Sequence, residues 1–443
     1  MPTYLGHCRG LVDKAADYGF GEEMIEEKLK RSPCVSVVVL DFNGSAYWSA
    51  LCSALSRQSY RDFEVVVVVN GEPLPDVAES EGLDLLILSP GENLGFAGGA
   101  NLAWSAASGE FVAFLNNDAL PEKDWLQHLV NSIETSNDVG AVASKVLFQN
   151  RYGALNVESS TFVPSSIEES SDDRELGIRV KLSSKSVSLF TACGTYGPEY
   201  ENDEVWTWTS RSSVLDVPED ENGIIALEFS YHPSLVGTVC RLKWGESEPI
   251  RVVLTSELHK KYEFNANGVG ARYLVNNAGS EIEKDWHVTE RGIYQSDSLK
   301  FDHSIDLEVA SACSLLVRKS ALSRELPFDE GYFAYYEDVD LSRTLRRSGY
   351  KILYQPQSRV YHARSATAGT QSPFQVYHAT RNRLWMIASH APWKVVWRVA
   401  SHDLLRLDEY SNFLDAEFST PRLKLDSWVG FISRIWRRLC DAD

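Results

Sequence analysis

Cysteine is scarce in this sequence, and its spacing excludes the usual cysteine-based sites. The seven cysteines are scattered over 443 residues, contain no CxxC pair and are odd in number. A zinc site needs closely spaced pairs, and a disulfide framework needs an even count. We therefore expect a chain kept in a reducing environment, the cytoplasm, without structural zinc or disulfides.

Positive charge is also in short supply. Lysine and arginine number 43 against 62 aspartate and glutamate residues, which gives a formal net charge of −19. A nucleic-acid-binding surface needs clustered positive charge, so we expect no nucleic-acid partner. A phosphate-bearing substrate would have to meet local cations or a metal ion instead.

Two further absences narrow the classes of protein. No apolar run reaches the roughly 18 residues of a membrane-spanning helix, and the N-terminal residues do not have the pattern of a signal peptide. No GxGxxG turn follows the first strand-like run. This disfavours a dinucleotide-dependent oxidoreductase.

What the sequence does contain is an alternation of apolar strand-like runs with helical stretches. Residues 35–40, 64–69, 85–88 and 111–115 are continuous apolar runs, typical of parallel strands buried on both faces. Alternation of this kind predicts an α/β domain with a mostly parallel sheet. Its ligands should bind at the carboxyl ends of the strands.

The alternation is interrupted by a segment rich in Ser, Thr and acidic residues, with short alternating runs and turn residues. This segment predicts an inserted all-β, sandwich-like domain. The predicted domains are an N-terminal helical extension at 1–33, a first half of the α/β domain at 34–149, the β-rich insertion at 150–270, a second half of the α/β domain at 271–390, and a C-terminal helical segment at 391–443.

An acidic residue follows the fourth strand-like run, where residues 116–118 read Asn-Asn-Asp. Asp118 could hold a divalent cation that takes its other ligands from water and substrate phosphates. A turn with a helix N-cap explains the same residues. His362 is a further candidate ligand of a metal or a diphosphate, although a lone histidine is more often structural.

A glycine-rich loop at residues 92–101 precedes a helix. Glycines beside a helix N-terminus let backbone N–H groups approach an anion or a sugar. An ordinary tight turn is the alternative interpretation. Farther along the chain, Arg381 could present its guanidinium to phosphate or lie on a solvated helix face.

A second acidic cluster occupies residues 335–341, Tyr-Tyr-Glu-Asp-Val-Asp-Leu. Carboxylates beside aromatic side chains should be partly desolvated, which raises their pKa values and favours proton acceptance. A solvated helix start explains the same letters, because acids are common in a first helical turn.

Two other regions carry aromatic residues that allow two interpretations each. Trp206 and Trp208 in the insertion could stack on the sugar rings of an acceptor, or belong to the sandwich core. Residues 428–439 carry apolar and aromatic residues at helical spacing with three arginines. That segment could lie on a membrane surface as a peripheral contact, or dock on the domain.

These motifs, in this order, resemble family 2 glycosyltransferases of the GT-A fold, especially the bacterial rhamnosyltransferase and galactofuranosyltransferase branch. The resemblance covers about 34–149 and 270–390. It implies a GT-A nucleotide-diphospho-sugar transferase fold, with a mostly parallel sheet flanked by helices. The motifs that carry it are residues 93–101, 115–118, 277–279, 328–330, 336–341 and 360–362.

The resemblance also implies roles for single residues. Asp338 would be the catalytic base with Glu337 beside it, and Asp118 and His362 would bind Mg²⁺ or Mn²⁺. The donor-binding residues would be Asn43, Asn70, Asn93, Gly95, Phe96, Gly98, Gly99, Asn101, Asn116 and Asn117. Residue chemistry, and not the resemblance, suggests contacts with acceptor or phosphate for Asp340, Arg381, Trp206 and Trp208.

The activity implied is an inverting transfer of a sugar to a hydroxyl of a bacterial cell-surface polysaccharide or a lipid-linked glycan. The donor would be dTDP-rhamnose, with UDP-galactofuranose or another UDP-sugar as the alternative. The enzyme would work in the cytoplasm, peripherally on the inner face of the cell membrane. A non-catalytic glycan-binding scaffold is the alternative class.

The sequence departs from that family pattern at two positions. Residues 69–72 read Val-Asn-Gly-Glu, without the acid that commonly follows the second strand, so the nucleotide preference stays open. Residues 310–312 read Ala-Ser-Ala where Ser-Gly-Ala is common. The additional methyl group would narrow the acceptor side.

Overall fold

The computed structural model describes residues 33–76, 78–182, 190–201, 204–219, 224–245, 247–265, 270–363 and 372–440. The predicted N-terminal helical extension lies outside the described residues, apart from its last residue. The described chain divides into two compact units. One contains the residues up to Leu147, Asn276–Ile293 and those from Ser298 onward, and the other contains Phe148–Val275 and Tyr294–Asp297.

Strands and helices follow the apolar runs and turn residues of the sequence. The first strands are β1 (Val35–Asp41), β2 (Phe63–Val69), β3 (Leu85–Leu88), β4 (Phe111–Asn116), β5 (Ala119–Pro121) and β6 (Val139–Glu158), the last of which continues into the second unit. The next are β7 (Arg179–Leu182), β8 (Phe190–Glu201), β9 (Glu204–Pro218), β10 (Ile224–Ser230), β11 (Val239–Trp244), β12 (Ile250–Val253) and β13 (His259–Asn265). The later strands are β14 (Arg272–Asn277), β15 (Ser280–Ile282), β16 (Val288–Glu290), β17 (Ile305–Asp306), β18 (Ser314–Arg318) and β19 (Lys351–His362). The α-helices are α1 (Ser45–Ser56), α2 (Gly95–Ala106), α3 (Trp125–Ile133), α4 (Glu337–Arg347), α5 (Pro373–His390), α6 (Trp393–His402) and α7 (Thr420–Cys440).

Four parallel strands, in the order β3, β2, β1, β4, form the centre of the sheet in the first unit. β18 runs antiparallel to β4, with Ser314 opposite Leu115, and β6 runs antiparallel to β18. The valine-rich runs of β1 and β2 are buried along almost their whole length, as strands covered on both faces should be. The carboxyl ends of the parallel strands share one edge, which carries Asp41, Asn70 and Asn116.

Helices α1 and α3 pack their apolar side chains against this sheet in one core. Trp125 is fully buried there, and its indole Nε1–H donates to the Oγ atoms of Ser144 and Ser314. A buried tryptophan needs such an acceptor for its one donor. The sheet side of the first unit is therefore a rigid base for the residues at its carboxyl edge.

The second unit is built from antiparallel strand pairs. β10 pairs with β7 and β13, β9 pairs with β6 and β8, and β11 pairs with β12. Its own core is made of alternate residues of these strands. Gly153 is required at one close approach, because a Cβ there would lie 1.8 Å from Cζ2 of Trp244.

Trp206 and Trp208, the predicted sugar-stacking residues, have protein partners. Trp206 is 4% exposed, and Arg179 and Lys181 lie against its ring at 4.6 and 4.9 Å from the centroid. Trp208 is half-buried, and its Nε1–H donates to Oε2 of Glu199 at 2.9 Å. The burial of Trp206 favours the packing interpretation, and sugar stacking by either side chain stays a prediction.

The C-terminal helices pack on one another within the first unit. Gly430 of α7 touches the Trp385 indole of α5, where a Cβ would lie 2.1 Å from Cε2. Leu423 and Phe431 are buried in the same core. Searching the described residues for a membrane span finds no helix with the length and apolarity to cross a bilayer.

Candidate active site

The acid after β4 lies beside the predicted histidine. Strands β5 and β19 pair antiparallel, with His362 opposite Ala119, the residue after Asp118. In that register Oδ1 of Asp118 is 3.0 Å from Nε2 of His362, and both side chains are only 11% exposed. The ladder between β5 and β19 thus joins two residues that are far apart in the sequence.

Three neighbours fix the orientation of the His362 ring. Its Nδ1 is 3.1 Å from Oδ1 of Asn276, and Nδ2 of Asn116 is 3.4 Å from its Nε2. Burial lowers the pKa of His362, but Cys313 and the Asp118 carboxylate outweigh it and raise that pKa to about 10. At that pKa both ring nitrogens carry a proton near pH 7, so Nδ1–H donates to Asn276 and Nε2–H to the Asp118 carboxylate, and a cation held by the pair would displace the Nε2 proton.

The Asp118–His362 pair fits a divalent cation. Two ligand atoms in adjacent octahedral positions, each about 2.1 Å from an ion, lie about 3.0 Å apart, and the pair has that separation. Across the described ranges, no group of three or more His, Cys, Asp or Glu side chains could hold a metal ion. A two-ligand set suits an ion that keeps waters and takes substrate phosphates as further ligands.

The second acidic cluster begins helix α4. Oδ2 of Asp338 accepts the N–H of Ala312 at 3.2 Å, and Oδ1 accepts the N–H of Val339 at 2.8 Å. Burial raises the pKa of Asp338 to about 6 despite these hydrogen bonds. Burial, and then the charge of Asp338, also raise the pKa of Glu337, whose buried Oε2 has no hydrogen-bond partner among the described residues.

Residues 312 and 313 connect the two acidic groups. The N–H of Ala312 donates to Asp338, while the carbonyl of the next residue, Cys313, accepts the N–H of Asn116 at 3.0 Å. The Cys313 side chain also hydrogen-bonds to His362. Two consecutive residues before β18 therefore bring both acidic groups to one end of the sheet.

The backbone before α4 is strained. Phe333, Tyr335 and Tyr336 have φ angles of 64°, 69° and 70°, in the left-handed region that favours glycine. Each such residue costs of the order of 1 kcal/mol or more, and this strain is typical of functional sites. The turn from 333 to 336 places the acids of α4 immediately after it.

One buried amide holds that turn. Nδ2 of Asn382, on α5, donates to the carbonyls of Tyr332, Ala334 and Tyr335 at 2.9, 2.7 and 2.7 Å. Its side chain is fully buried, and its Oδ1 accepts from Nε of Arg381 at 2.9 Å. Sequence analysis did not select Asn382, because its partners lie about fifty residues away in the chain.

Arg381 is engaged with the same segment. Its Nη2 donates to the carbonyls of Gly331 and Tyr332 at 2.9 and 3.0 Å, and its guanidinium lies 4.2 Å from the Trp385 ring centroid. These contacts hold Arg381 inside the protein. They give no support to the predicted phosphate contact.

Asp340, also in the first turn of α4, has different partners from the acid pair. Its carboxylate is 2.9 Å from Nη1 of Arg324 and 2.6 Å from Nε2 of His390. Burial raises the pKa of Asp340, but His390 and Arg324 outweigh it and lower that pKa to about 2. These partners give Asp340 a structural function, and its predicted acceptor contact stays a prediction.

The glycine-rich loop is largely satisfied by the protein itself. The N–H groups of Leu94, Gly95 and Ala97 donate to Oδ1 of Asn70, Oδ1 of Asn93 and the carbonyl of Phe333. Asn70 also donates from Nδ2 to the carbonyl of Gly95 at 2.9 Å. These contacts use donors that an anion would need, so they favour the tight-turn interpretation for this part of the loop.

The other loop residues also make packing contacts. Gly95 has φ of +68°, and a Cβ there would lie 2.6 Å from the Phe333 ring, so only glycine fits. A Cβ on Gly99 would lie 2.5 Å from Leu40, and one on Gly98 would lie 3.1 Å from Leu94. The Phe96 ring meets Phe328 edge to face, with centroids 5.8 Å apart.

Asn101 binds a distant segment instead of an open surface. Its Oδ1 accepts the N–H of Phe328 at 3.1 Å and its Nδ2 donates to the carbonyl of the same residue at 2.9 Å. Nδ2 also reaches Oε1 of Glu330 at 3.2 Å. The Asn101 side chain is 1% exposed and both ends of its amide are hydrogen-bonded, so it fixes the backbone that precedes the strained turn.

Two predicted donor residues lie at the carboxyl edge of the sheet, together with an acid that sequence analysis missed. Nδ2 of Asn117 donates to Oδ1 of Asp41 at 2.8 Å, and Oδ1 of Asn43 accepts the N–H of Glu72 at 2.9 Å. Asp41 ends β1 and is buried. The rule that selected Asp118, an acid at the end of a buried strand, would have selected Asp41 as well.

The first part of the chain matches a known family. Residues 36–184 match the family model described as Glycosyl transferase family 2. With the mixed sheet of the first unit, this match confirms the predicted α/β fold class of GT-A type. The match extends from β1 to β7 and so includes residues 116–118 and the beginning of the second unit, and it ends before the second acidic cluster.

Curated relatives are similar over part of their length. An uncharacterized glycosyltransferase of Haemophilus influenzae is 25% identical over 140 residues, which are 30% of this chain and 43% of the relative. The N-acetylglucosaminyl-diphospho-decaprenol L-rhamnosyltransferase of Mycobacterium tuberculosis is 33% identical over 97 residues, 22% of this chain and 31% of the relative. The chain thus spans less than half the length of these two relatives.

Among solved structures, GalNAc-T7 with UDP, GalNAc and Mn²⁺ is similar over 93% of this chain and 58% of its own. Its sequence identity is 12% and its TM-score is 0.41.

Proposed function

We propose that this protein is an inverting glycosyltransferase that moves a sugar from a nucleotide donor to a glycan hydroxyl. The observation that carries the proposal is the link through Ala312 and Cys313, which joins the Asp338 carboxylate to the Asp118–His362 pair. Sugar transfer needs a proton acceptor at one end of the reacting bonds and positive charge at the other. The Asp338 carboxylate would be the proton acceptor, and a cation held by the Asp118–His362 pair would supply the positive charge.

Asp338 is the proposed general base. With a pKa of about 6, its carboxylate is ionised near pH 7 and is a stronger base than an exposed aspartate. It would accept the proton of the acceptor hydroxyl as that oxygen attacks the anomeric carbon. The buried Oε2 of Glu337, which none of the residues in the described ranges binds, would accept a hydrogen bond from the acceptor and orient it.

The charge of the departing nucleoside diphosphate is the second requirement. Mg²⁺ or Mn²⁺, held by Asp118 and His362, would supply the positive charge that stabilises the leaving group. Asn276 and Asn116 keep the His362 ring in the orientation that this needs. A single displacement with one base and no protein nucleophile inverts the anomeric centre.

The donor we favour is dTDP-rhamnose, and the acceptor a growing bacterial surface polysaccharide or a lipid-linked glycan. Similarity to the mycobacterial rhamnosyltransferase supports this choice. UDP-galactofuranose or another UDP-sugar is the alternative donor, because the chain after β2 has Asn70 where an acid is common in the family.

A nucleotide-release assay tests the proposal. The full chain is incubated with dTDP-rhamnose, UDP-galactofuranose and other UDP-sugars, each with and without Mg²⁺ or Mn²⁺. We expect metal-dependent release with one donor, lost in Asp118→Asn and kept in Asp76→Asn, a solvent-exposed aspartate used as control.

The same experiment separates the alternative class. A glycan-binding scaffold would neither release nucleotide nor bind any donor, while still binding oligosaccharide. Absence of release and of donor binding, with the full panel and both metals, would overturn the proposed activity.

A further inference from the structure

The outward side of helix α7 carries a row of large apolar side chains. Their exposed fractions run from 50% to 69%. Their spacing of four, three, four and three residues aligns them along one side of the helix. This apolar face consists of Leu425, Val429, Ile432, Trp436 and Leu439.

The opposite side of α7 is fixed to the first unit, which determines how the apolar face is presented. Gly430 lets the helix approach Trp385 closely, and Phe431 is buried beside it. Arg434 lies 4.1 Å from the Trp385 ring centroid and 2.6 Å from Asp329. The helix therefore cannot rotate to bury its apolar face without losing these contacts.

A neighbouring helix widens the apolar surface. Trp393 and Trp397, one turn apart on α6, are 38% and 64% exposed. The guanidinium of Arg438, on α7, lies 4.5 Å from the Trp393 ring centroid, so the two helices adjoin there. Exposed tryptophans suit the boundary between water and lipid, because the ring is apolar and its N–H is polar.

The charge of α7 is opposite to that of the chain as a whole. The helix carries five arginine and lysine residues and one aspartate, in a chain of formal net charge −19. Arg434 is paired with Asp329 on the buried side and Lys424 with Asp408, so Arg422, Arg437 and Arg438 supply the positive charge beside the apolar face. Segments in which basic residues flank an apolar face are attracted to anionic lipid headgroups. Positive charge at this surface favours an anionic lipid surface over a basic or a neutral partner.

A second copy of the chain is the competing occupant, because the row has coiled-coil spacing. The positions that flank such a seam normally carry opposite charges that set pairing. Here they are Asp426, Trp428, Ser433 and Ile435. Only one of these four positions carries a charge, and the tryptophans of α6 extend the apolar surface beyond a narrow seam. The geometry therefore favours contact with a flat membrane surface over pairing with a second helix.

We propose that the apolar face of α7, with Trp393 and Trp397 of α6, contacts an anionic membrane, with α7 lying in the plane of its surface. The membrane would be the partner that presents the acceptor, and in that respect the proposal rests on the proposed glycosyltransferase function. A lipid-linked acceptor would be held at the same surface.

Vesicle sedimentation of the full chain tests the proposal. The vesicles contain phosphatidylcholine alone or with about 30% phosphatidylglycerol. We expect binding to the anionic vesicles that weakens with salt, since surface attraction is screened. The double variant Ile432→Ser/Trp436→Ser should reduce the partition coefficient by at least about 10-fold, because two exposed apolar side chains that would insert into the bilayer are lost.

A matched control is Leu299→Ser, which changes a side chain that is 80% exposed outside the C-terminal helices and should leave binding unchanged. Circular dichroism of each variant establishes that it is folded. No binding by the unmodified chain, or equal binding by the folded double variant, would overturn the proposal.

Analytical ultracentrifugation tests the alternative that a second copy of the chain binds the apolar face. A dimer that the double variant converts to a monomer, without vesicle binding by the unmodified chain, would assign the apolar face to self-association and overturn the membrane proposal. Nucleotide release in solution is expected to be unchanged by the double variant. If the unmodified chain released no nucleotide, this would count against the proposed function and would leave the vesicle result unaffected.

Discussion

Asp338 and Asp340 lie two residues apart in one helix, and burial is the largest influence on both, yet their pKa values move in opposite directions. The pKa of Asp338 rises to about 6, whereas that of Asp340 falls to about 2. Asp340 has Arg324 and His390 within 3 Å, whereas the described contacts of Asp338 are backbone N–H groups.

The difference teaches that the charge partner, and not burial alone, decides what a carboxylate at this helix start can do. An acid paired with cations is a weak base and a strong structural anchor. An acid held only by N–H groups keeps a raised pKa and can accept a proton. The following predictions test this division between the two acids, from the largest expected effect to the smallest.

Asp338→Asn removes the proposed base while keeping nearly the same shape. We expect kcat to fall by about 10² to 10⁴, the usual contribution of general-base catalysis. Donor affinity, measured by calorimetry, should change little, because the cation pair at Asp118 is untouched. Near-native turnover would assign the base to another residue, and Glu337→Gln would then be the variant to compare.

Asp340→Asn leaves Arg324 and His390 without their anionic partner. We expect a loss of about 3 kcal/mol in the free energy of unfolding, measured by urea denaturation near pH 7. The control is Asp306→Asn, which removes a more exposed ion pair with Arg346 and should cost less than about 1 kcal/mol. Equal losses in the two variants would contradict the division.

Asn382→Ala removes the amide that holds the strained turn. We expect kcat to fall by about 10-fold to 30-fold, since the two N–H groups of the amide, which bind the three carbonyls and contribute about 1 kcal/mol each, are lost beside the base. Donor binding should persist. Thr380→Ala, on the same helix, is the control and should have the kinetics of the unmodified chain.

The pH dependence of stability gives the smallest effect. The folded-state pKa of Asp338 is raised above its unfolded value, so the folded chain binds more protons between about pH 4 and about pH 6. Its contribution to stability is present below that window and is lost as pH rises through it, by about 1–2 kcal/mol. Turnover should change in the opposite sense, because the base must be ionised.

Asp338→Asn lacks this titration, so the difference in unfolding free energy between variant and unmodified chain should grow from pH 4 to pH 6. Denaturation curves at several pH values measure it. A constant difference would mean that Asp338 has an ordinary pKa.

Much of the sheet could be predicted from the sequence, because buried parallel strands are continuous apolar runs. The runs at 35–40, 64–69, 85–88 and 111–115 agree with β1 to β4 to within a residue at each end. The pairing of Asp118 with His362 required the register of β5 against β19, which no local pattern encodes. Residue chemistry made His362 one candidate among others, and the family resemblance assigned it the role of metal ligand.

The residues that hold the site were the least predictable. Asn101 was predicted to bind the nucleotide-sugar donor, yet its side chain binds Phe328, 227 positions later in the chain. Arg381 looked like a phosphate contact and is buried against Trp385. A single amide or guanidinium serves equally well for ligand or backbone, so only the tertiary contacts separate the two functions.

The Ala312–Cys313 link ties formation of the site to strand register during folding. These residues lead directly into β18, where Ser314 pairs with Leu115. A slip of β18 by one residue would turn its side chains to the opposite face of the sheet and separate Asp338 from the Asp118–His362 pair. Misregistered molecules would be inactive and not merely slow, so activity regained after refolding would count the molecules whose strands paired correctly.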